Sequence, residues 1–223
     1  MYVTNPSETC FKASPAALVS AHMPPPETLL KTGAYLYFEG DDVEWLYQVV
    51  TGVLRLTRLL EDGRRQVIAF GYPGDIVGFP SGGLHHTDCD ALVDTRLQPY
   101  RRSILEDGKG DPRLHHALLQ AALREISAMQ DHFMMLGRKS AVEKVASFLC
   151  VLVDRVGNDL GNYRCVDLPM SRADIADFLG LTTETVSRAF SQLRRQNIIA
   201  IENIYTITVL RRSALLELSV GPA

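Results

Sequence analysis

The stretch Ser171-Arg172-Ala173-Asp174-Ile175-Ala176-Asp177-Phe178-Leu179-Gly180-Leu181-Thr182-Thr183-Glu184-Thr185-Val186-Ser187-Arg188 decides the reading of this chain. Ser171 stands three residues before Asp174, a capping pattern that opens a helix. Ile175, Ala176 and Leu179 give that helix an apolar face, and Gly180 can adopt the left-handed backbone that ends it. Thr182 or Thr183 then caps a second helix, in which Val186, Phe190 and Leu193 recur at helical spacing. Two helices around so short a turn form a helix-turn-helix, whose second helix enters the major groove of DNA.

Thr183, Glu184, Ser187 and Arg188 fall on the first two turns of that second helix, opposite Val186 and Phe190. This is the part of a recognition helix that reaches base edges. Arg188 can pair in bidentate fashion with guanine O6 and N7, and Glu184 can accept from the cytosine N4 amino group. Ser187 is short enough for close approach, for instance against a thymine methyl. The same Glu184 and Arg188 also satisfy the i, i+4 ion pair of a purely solvated helix face.

Composition sets limits around this reading. A chain of 223 residues with 46% apolar residues can build two compact cores. A net charge of −3 gives no global attraction to DNA, but from Val186 to Ile201 the only charged residues are Arg188, Arg194 and Arg195. No apolar run reaches membrane-spanning length, and Met1–Pro6 holds no basic segment leading into an apolar one, so a cytoplasmic protein with no membrane partner is expected. No Ser/His/Asp set, glycine-rich phosphate loop or metal triad occurs at usable spacing, which argues against an enzyme.

Along the chain, residues 1–27 read as an irregular, polar tail ending in Pro24-Pro25-Pro26. From Thr28 to about Leu105 short strand candidates follow: Tyr35–Phe38, Trp45–Val50, Val53–Arg58 and Gln66–Phe70, with Gly40, Gly52, Gly63 and Gly71 between or beside them. That rhythm predicts a sandwich or barrel-like roll over 28–111. Residues 112–137 read as one long helix opened by Pro112. Leu119, Ala122, Ile126, Met129, Phe133 and Leu136 alternate three and four residues apart, the seam of a parallel coiled coil. Leu114, Leu118, Leu123 and Met135 widen the apolar surface, so the helix can serve its own roll and a partner together. Ser140 and Glu143 open a linking helix to about Arg155. Ile198–Ile201 and Tyr205–Val209 form a hairpin around Glu202-Asn203-Ile204.

Segment 168–209 resembles the C-terminal DNA-binding domain of the CRP/FNR superfamily, and more closely its FNR/FixK branch. Glu184-Thr185-Val186-Ser187-Arg188 matches that branch's base-reading Glu-x-x-Ser-Arg signature, whereas the cyclic-AMP-responsive branch has glycine at Ser187 and a further arginine at Thr183. The hairpin looks like the family's wing, and Tyr72-Pro73-Gly74-Asp75-Ile76-Val77-Gly78 resembles the turn-strand of its sensory β-roll, so the likeness runs from about residue 28 to 218. It implies an α+β protein: a cyclic-nucleotide-binding-like β-roll over 28–111, a dimerisation helix over 112–137 and a winged helix-turn-helix domain over 138–223. It implies a homodimer on a palindromic double-stranded operator, with half-sites about 34 Å apart. Ser171, Arg172, Thr182 and Thr185 then lie near helix starts, where phosphates are held. The implied activity is transcription activation at TTGAT-type inverted repeats, with recruitment of RNA polymerase to microaerobic or anaerobic genes.

Effector chemistry is addressed by what the roll contains. A cyclic nucleotide needs an arginine for the phosphate and a glutamate for the ribose after the Gly-Asp turn. Here Phe79-Pro80-Ser81-Gly82-Gly83-Leu84-His85-His86-Thr87-Asp88-Cys89-Asp90-Ala91 holds neither, and Asp88 and Asp90 would repel a phosphate. An iron–sulfur cluster needs four thiolates, but Cys10, Cys89, Cys150 and Cys165 are scattered, and Gln98 aligns with the internal cluster ligand. Cys150 reads as a small buried hydrophobe, while Cys10 and Cys165 are candidates for exposed, oxidisable thiols. His85 and His86 would point to opposite sides of a strand and read as part of a solvated loop rather than a metal site. His115-His116 reads as a polar helix start. FixK-type members, which also lack the cluster cysteines, are controlled by their amount, so no cofactor and no metal is expected. Haem with nitric oxide, as in a nitric-oxide-sensing relative, stays open as the alternative.

Overall fold

The computed structural model describes residues 25–80, 82–107 and 111–221. The tail expected over 1–27 lies outside the described residues as far as residue 24, as does Cys10. The chain divides into two compact units, one ending at Met134 and the other beginning at Met135.

Among the described residues the first unit holds eight strands: β1 (Thr28–Leu30), β2 (Tyr35–Tyr37), β3 (Trp45–Thr51), β4 (Leu54–Leu59), β5 (Arg65–Gly71), β6 (Ile76–Val77), β7 (Asp88–Ala91) and β8 (Thr95–Arg101). They form two antiparallel sheets, ordered β1-β8-β3-β6 and β2-β7-β4-β5. Val49, Val77 and Leu97 from the first sheet meet Tyr37, Leu54, Leu56, Cys89 and Ala91 from the second, so the apolar alternation of each strand closes one core between them. Gly52 makes the turn between β3 and β4 possible. Its φ is +92°, and a Cβ there would lie 2.4 Å from Thr95 Oγ1 and 2.7 Å from the Thr95 Cα, so no larger residue fits.

A short helix α1 (Arg102–Asp107) leads to α2 (Pro112–Arg138), 27 residues long. Leu114, Leu118 and Ala121 pack with Val43, Leu46, Ile76 and Tyr100 of the roll. Burying each of the two leucines contributes about 1.5–3 kcal/mol, which fastens this end of the helix to the sheet. Glu125 follows on that buried face. Burial, with Asp75 nearby, pushes its carboxyl up to about 7.

The second unit contains α3 (Ala141–Val156), β9 (Asn158–Leu160), β10 (Tyr163–Asp167), α4 (Arg172–Leu179), α5 (Thr183–Arg195), β11 (Ile199–Ile201), β12 (Thr206–Val209) and α6 (Arg212–Val220). Its antiparallel sheet is ordered β11-β12-β10-β9. Ser140 and Glu143 cap α3 reciprocally. The buried Lys144 of α3 donates to the carbonyl of Leu179 at the end of α4, a cation placed where the helix dipole favours one. Leu149, Leu152, Ile175, Leu179, Phe190, Leu193 and Ile199 are fully buried and tie helices and hairpin into one core.

Two sequence expectations change, one in the roll and one in the second unit. His85 is not part of a solvated loop: it is buried, and its ring stacks on that of Tyr37 with centroids 3.6 Å apart, while His86 is exposed. Burial holds the His85 imidazole below its ordinary pKa. Cys165 is half-buried on β10 rather than exposed.

Candidate nucleic-acid interface

The helix-turn-helix is built by local chemistry. Ser171 Oγ accepts from the Asp174 amide at 3.1 Å and Asp174 Oδ2 accepts from the Ser171 amide at 3.0 Å, so the first turn of α4 is closed from both sides. Gly180 ends α4 with φ +61° and ψ +41°. The Leu181 amide donates back to the Ala176 carbonyl at 2.9 Å, which turns the chain at once. Thr182, not Thr183, is the cap of α5, accepting from the Thr185 amide at 3.1 Å. Val186, Ala189, Phe190 and Leu193 then face the core.

The opposite face of α5 is open. Thr183, Glu184, Ser187 and Arg188 are all exposed. Arg188 Nη2 donates to Glu184 Oε1 at 2.6 Å, with the two side chains 78% and 72% exposed. An ion pair this exposed adds only about 0.3–0.5 kcal/mol to the helix, so it does not explain itself by stability. The pair places a carboxylate and a guanidinium one turn apart on the open face, both accessible to a partner. Ser187 donates its hydroxyl proton to the Thr183 carbonyl at 2.9 Å, and Ser191 does the same to Ser187 at 2.9 Å. Toward a base, Ser187 therefore offers an acceptor oxygen and a methylene. Arg194 and Arg195 are exposed at the far end, completing a face with no acidic residue after Glu184.

The residues expected near phosphates are less uniform. Thr182 and Thr185 share one hydroxyl hydrogen bond at 2.8 Å, which leaves one proton of the pair free to donate to a phosphate. The Ser171 hydroxyl is already engaged with Asp174 Oδ2 at 2.7 Å. Arg172 is half-buried and lies over the Phe190 ring, 3.6 Å from its centroid. Desolvation lowers its guanidinium to about 10, and its Nη1 has no hydrogen-bond partner. That stack joins residues 18 positions apart and left no periodic signal in the sequence, so its packing role was missed there.

On α2, Leu119, Ile126, Met129 and Phe133 are exposed, Phe133 to 75%, and Leu123 joins them. Ala122 and Leu136 are half-buried. Leu136 belongs to the second unit, where its Cδ2 lies 3.7 Å from the position of a Cβ on Gly180. Contiguous apolar groups this exposed mark a contact surface.

Residues 143–218 match the Crp-like helix-turn-helix domain and residues 27–105 the cyclic nucleotide-binding domain. The chain belongs to the CRP/FNR family of DNA-binding transcription regulators, and within it to the FixK-like branch. It is 40% identical over 188 residues to the nitrogen fixation regulation protein FixK of Rhizobium meliloti, covering 84% of each chain. It is 43% identical over 175 residues to FixK of Bradyrhizobium diazoefficiens, covering 76% of this chain and 72% of that one. Among solved structures, FixK2 from Bradyrhizobium japonicum superposes with a TM-score of 0.79 at 40% identity, covering 89% of this chain and 98% of that one. The relatives carry the names of transcription regulators, not enzymes. Among the described residues no helix is long and apolar enough to cross a membrane.

Proposed function

We propose that this protein activates transcription as a homodimer bound to TTGAT-type inverted repeats, recruiting RNA polymerase to genes of microaerobic or anaerobic metabolism, nitrogen fixation among them. The observation that carries the reading is the Glu184–Arg188 pair held at 2.6 Å on the open face of α5. Arg188 reads guanine, Glu184 accepts from the paired cytosine, and Ser187 discriminates at the neighbouring pair, with Thr183 at the edge of the same face. The exposed seam of α2 supplies the two-fold contact that a palindrome requires. FixK names on relatives at 40% and 43% identity support the physiological setting.

The protein acts, in this reading, without a small-molecule effector. The segment after the Gly-Asp turn holds no arginine or glutamate with which to hold a cyclic nucleotide. The residues present do not fit an iron–sulfur cluster either. Among the described residues no three His, Cys, Asp or Glu side chains come together as a metal site, and Cys89 is enclosed in the core of the roll.

Purified, ligand-free protein offered labelled TTGAT, TGTGA and scrambled duplexes in air, at fixed salt, tests this directly. Selective binding of the TTGAT duplex by a dimer is expected. A folded dimer that ignores all three duplexes would overturn effector independence and turn attention to haem and nitric oxide.

A further inference from the structure

Strand β2 lies at the edge of its sheet and runs into the turn Phe38-Glu39-Gly40-Asp41-Asp42. Tyr37 is buried against His85, but its neighbours are not. Tyr35 and Phe38 are 49% and 50% exposed and stack on each other, with centroids 4.7 Å and planes 22° apart. A backbone bridge brings Leu84, 43% exposed, beside Asp42. This surface is firmly tied. The Gly40 amide donates to the His85 carbonyl, the His85 amide to the Asp41 carbonyl and the Val43 amide to the Gly83 carbonyl, each at 2.9 Å. Asp41 Oδ2 accepts from the Phe38 amide at 2.9 Å, and Asp88 Oδ1 accepts from the Glu39 amide at 2.8 Å. Two large rings held in water on a fixed turn, with a leucine beside it, mark a contact surface.

Charge decides what can dock there. Between Lys31 and Arg55 the chain has four carboxylates, Glu39, Asp41, Asp42 and Glu44, and no lysine or arginine. Arg58 pairs with Glu39 at 3.0 Å, while Asp41 and Asp88 bond to backbone amides, which leave their negative charge in place. Asp42 and Glu44 are exposed. Such a rim repels the phosphates of nucleic acids and of anionic lipids, and attracts cations. The rings then select among cations. A planar guanidinium lies flat on an aromatic face and forks to a carboxylate, whereas an ammonium is more strongly hydrated. Asp41 stands at the base of the Phe38 ring, where it can accept from that guanidinium. Residues 1–24 of the chain carry one lysine, Lys12, and no arginine, so they supply no such segment.

We propose that Tyr35, Phe38, Asp41, Asp42 and Leu84 form a docking platform for an arginine-bearing, cationic segment of a protein partner. One arginine lies on the exposed ring face and bonds to Asp41, and a neighbouring cation meets Asp42. The platform is already formed in the free protein, so the ordering cost falls on the partner segment alone. Salt weakens the contact. The platform does not depend on DNA reading by α5.

Fluorescein-labelled peptides of alternating arginine and glycine, of lysine and glycine, and of glutamine and glycine, equal in length, should be titrated against the full-length protein across a salt series, with anisotropy as the readout. The arginine peptide should bind about 5-fold more tightly than the lysine peptide, the glutamine peptide should not bind, and salt should weaken both cationic peptides. Phe38→Leu keeps an apolar side chain but removes the ring face, and should bring the arginine peptide down to the lysine level. Asp42→Lys should weaken both cationic peptides about 10-fold, whereas Glu61→Lys, the same charge change on the exposed turn between β4 and β5, should leave them within about 2-fold. All three variants should keep the wild-type thermal midpoint, because the side chains are exposed. Wild type that binds the arginine and lysine peptides equally, or Phe38→Leu that keeps the full difference between them, would overturn the ring contact. Equal losses in Asp42→Lys and Glu61→Lys would reduce the attraction to overall charge and overturn the platform.

Discussion

On α5, Glu184 and Arg188 stand in solvent one turn apart and bond to each other, and Ser187 bonds to its own helix. In the roll, Tyr37 lies beneath His85 and shares a hydrogen bond with the Cys89 thiol, and Glu125 is pressed against the sheet near Asp75. Both regions are rich in chemistry, yet they direct it differently. The exposed groups are arranged by local helical spacing and remain available to a partner. The buried groups meet residues distant in the sequence, and one is left unsatisfied: Glu125 Oε2 is buried without a hydrogen-bond partner. Substitutions on the exposed faces should therefore change association and leave folding alone, and substitutions in the roll should do the reverse.

The largest effect tests the exposed side. Phe133→Glu should leave the monomer's thermal midpoint unchanged, because the side chain is 75% exposed. It should weaken dimerisation by about 100-fold or more, since the interface would bury an unpaired carboxylate from each copy, at a cost of several kcal/mol. Sedimentation velocity across a concentration series reads this, and a variant that stays dimeric contradicts the seam.

Next come two glycines that separate the regions. Gly52→Ala forces a Cβ to within 2.4 Å of Thr95 Oγ1 and should cost about 3 kcal/mol, read as a lower denaturation midpoint. Gly180→Ala meets nothing closer than Leu136 Cδ2 at 3.7 Å, so only the left-handed backbone is penalised, by about 1 kcal/mol. Equal losses would show that the turn of the second unit is as crowded as that of the roll.

A smaller and pH-dependent effect belongs to Glu125. Its carboxyl is raised to about 7 in the folded chain, so the folded state holds the proton more tightly than the unfolded one. The stability this contributes is complete below the ordinary carboxylate range and is lost as pH rises through about 7. Glu125→Gln cannot ionise. It should match wild type below about pH 4 and gain on it steadily as pH rises through about 7, read by urea denaturation. A difference that does not change with pH would remove the buried carboxyl from the account.

The same contrast explains what the sequence disclosed. The caps at Ser171 and Thr182, the left-handed Gly180, the long helix and the α5 face depend on residues one to four positions apart, so spacing alone revealed them. Strands β2 to β5 of the roll were visible for the same reason, as short apolar runs between glycines, whereas β1, β7 and β8 were not read from the pattern. The stack of Arg172 on Phe190, the burial of His85 under Tyr37 and the approach of Glu125 to Asp75 join positions 18 to 50 apart. Nothing in a linear pattern encodes such pairs, which is why His85 read as solvated and Arg172 only as a phosphate contact.

The central claim is that Glu184 and Arg188 read one base pair. It is tested by measuring wild type and Arg188→Ala on a TTGAT inverted repeat and on the same duplex with its G·C pairs replaced by A·T. Wild type should lose about 1–3 kcal/mol on the altered duplex, whereas Arg188→Ala should bind the two alike and at the weaker level. An Arg188→Ala protein that still prefers the G·C duplex by the wild-type margin would contradict the account.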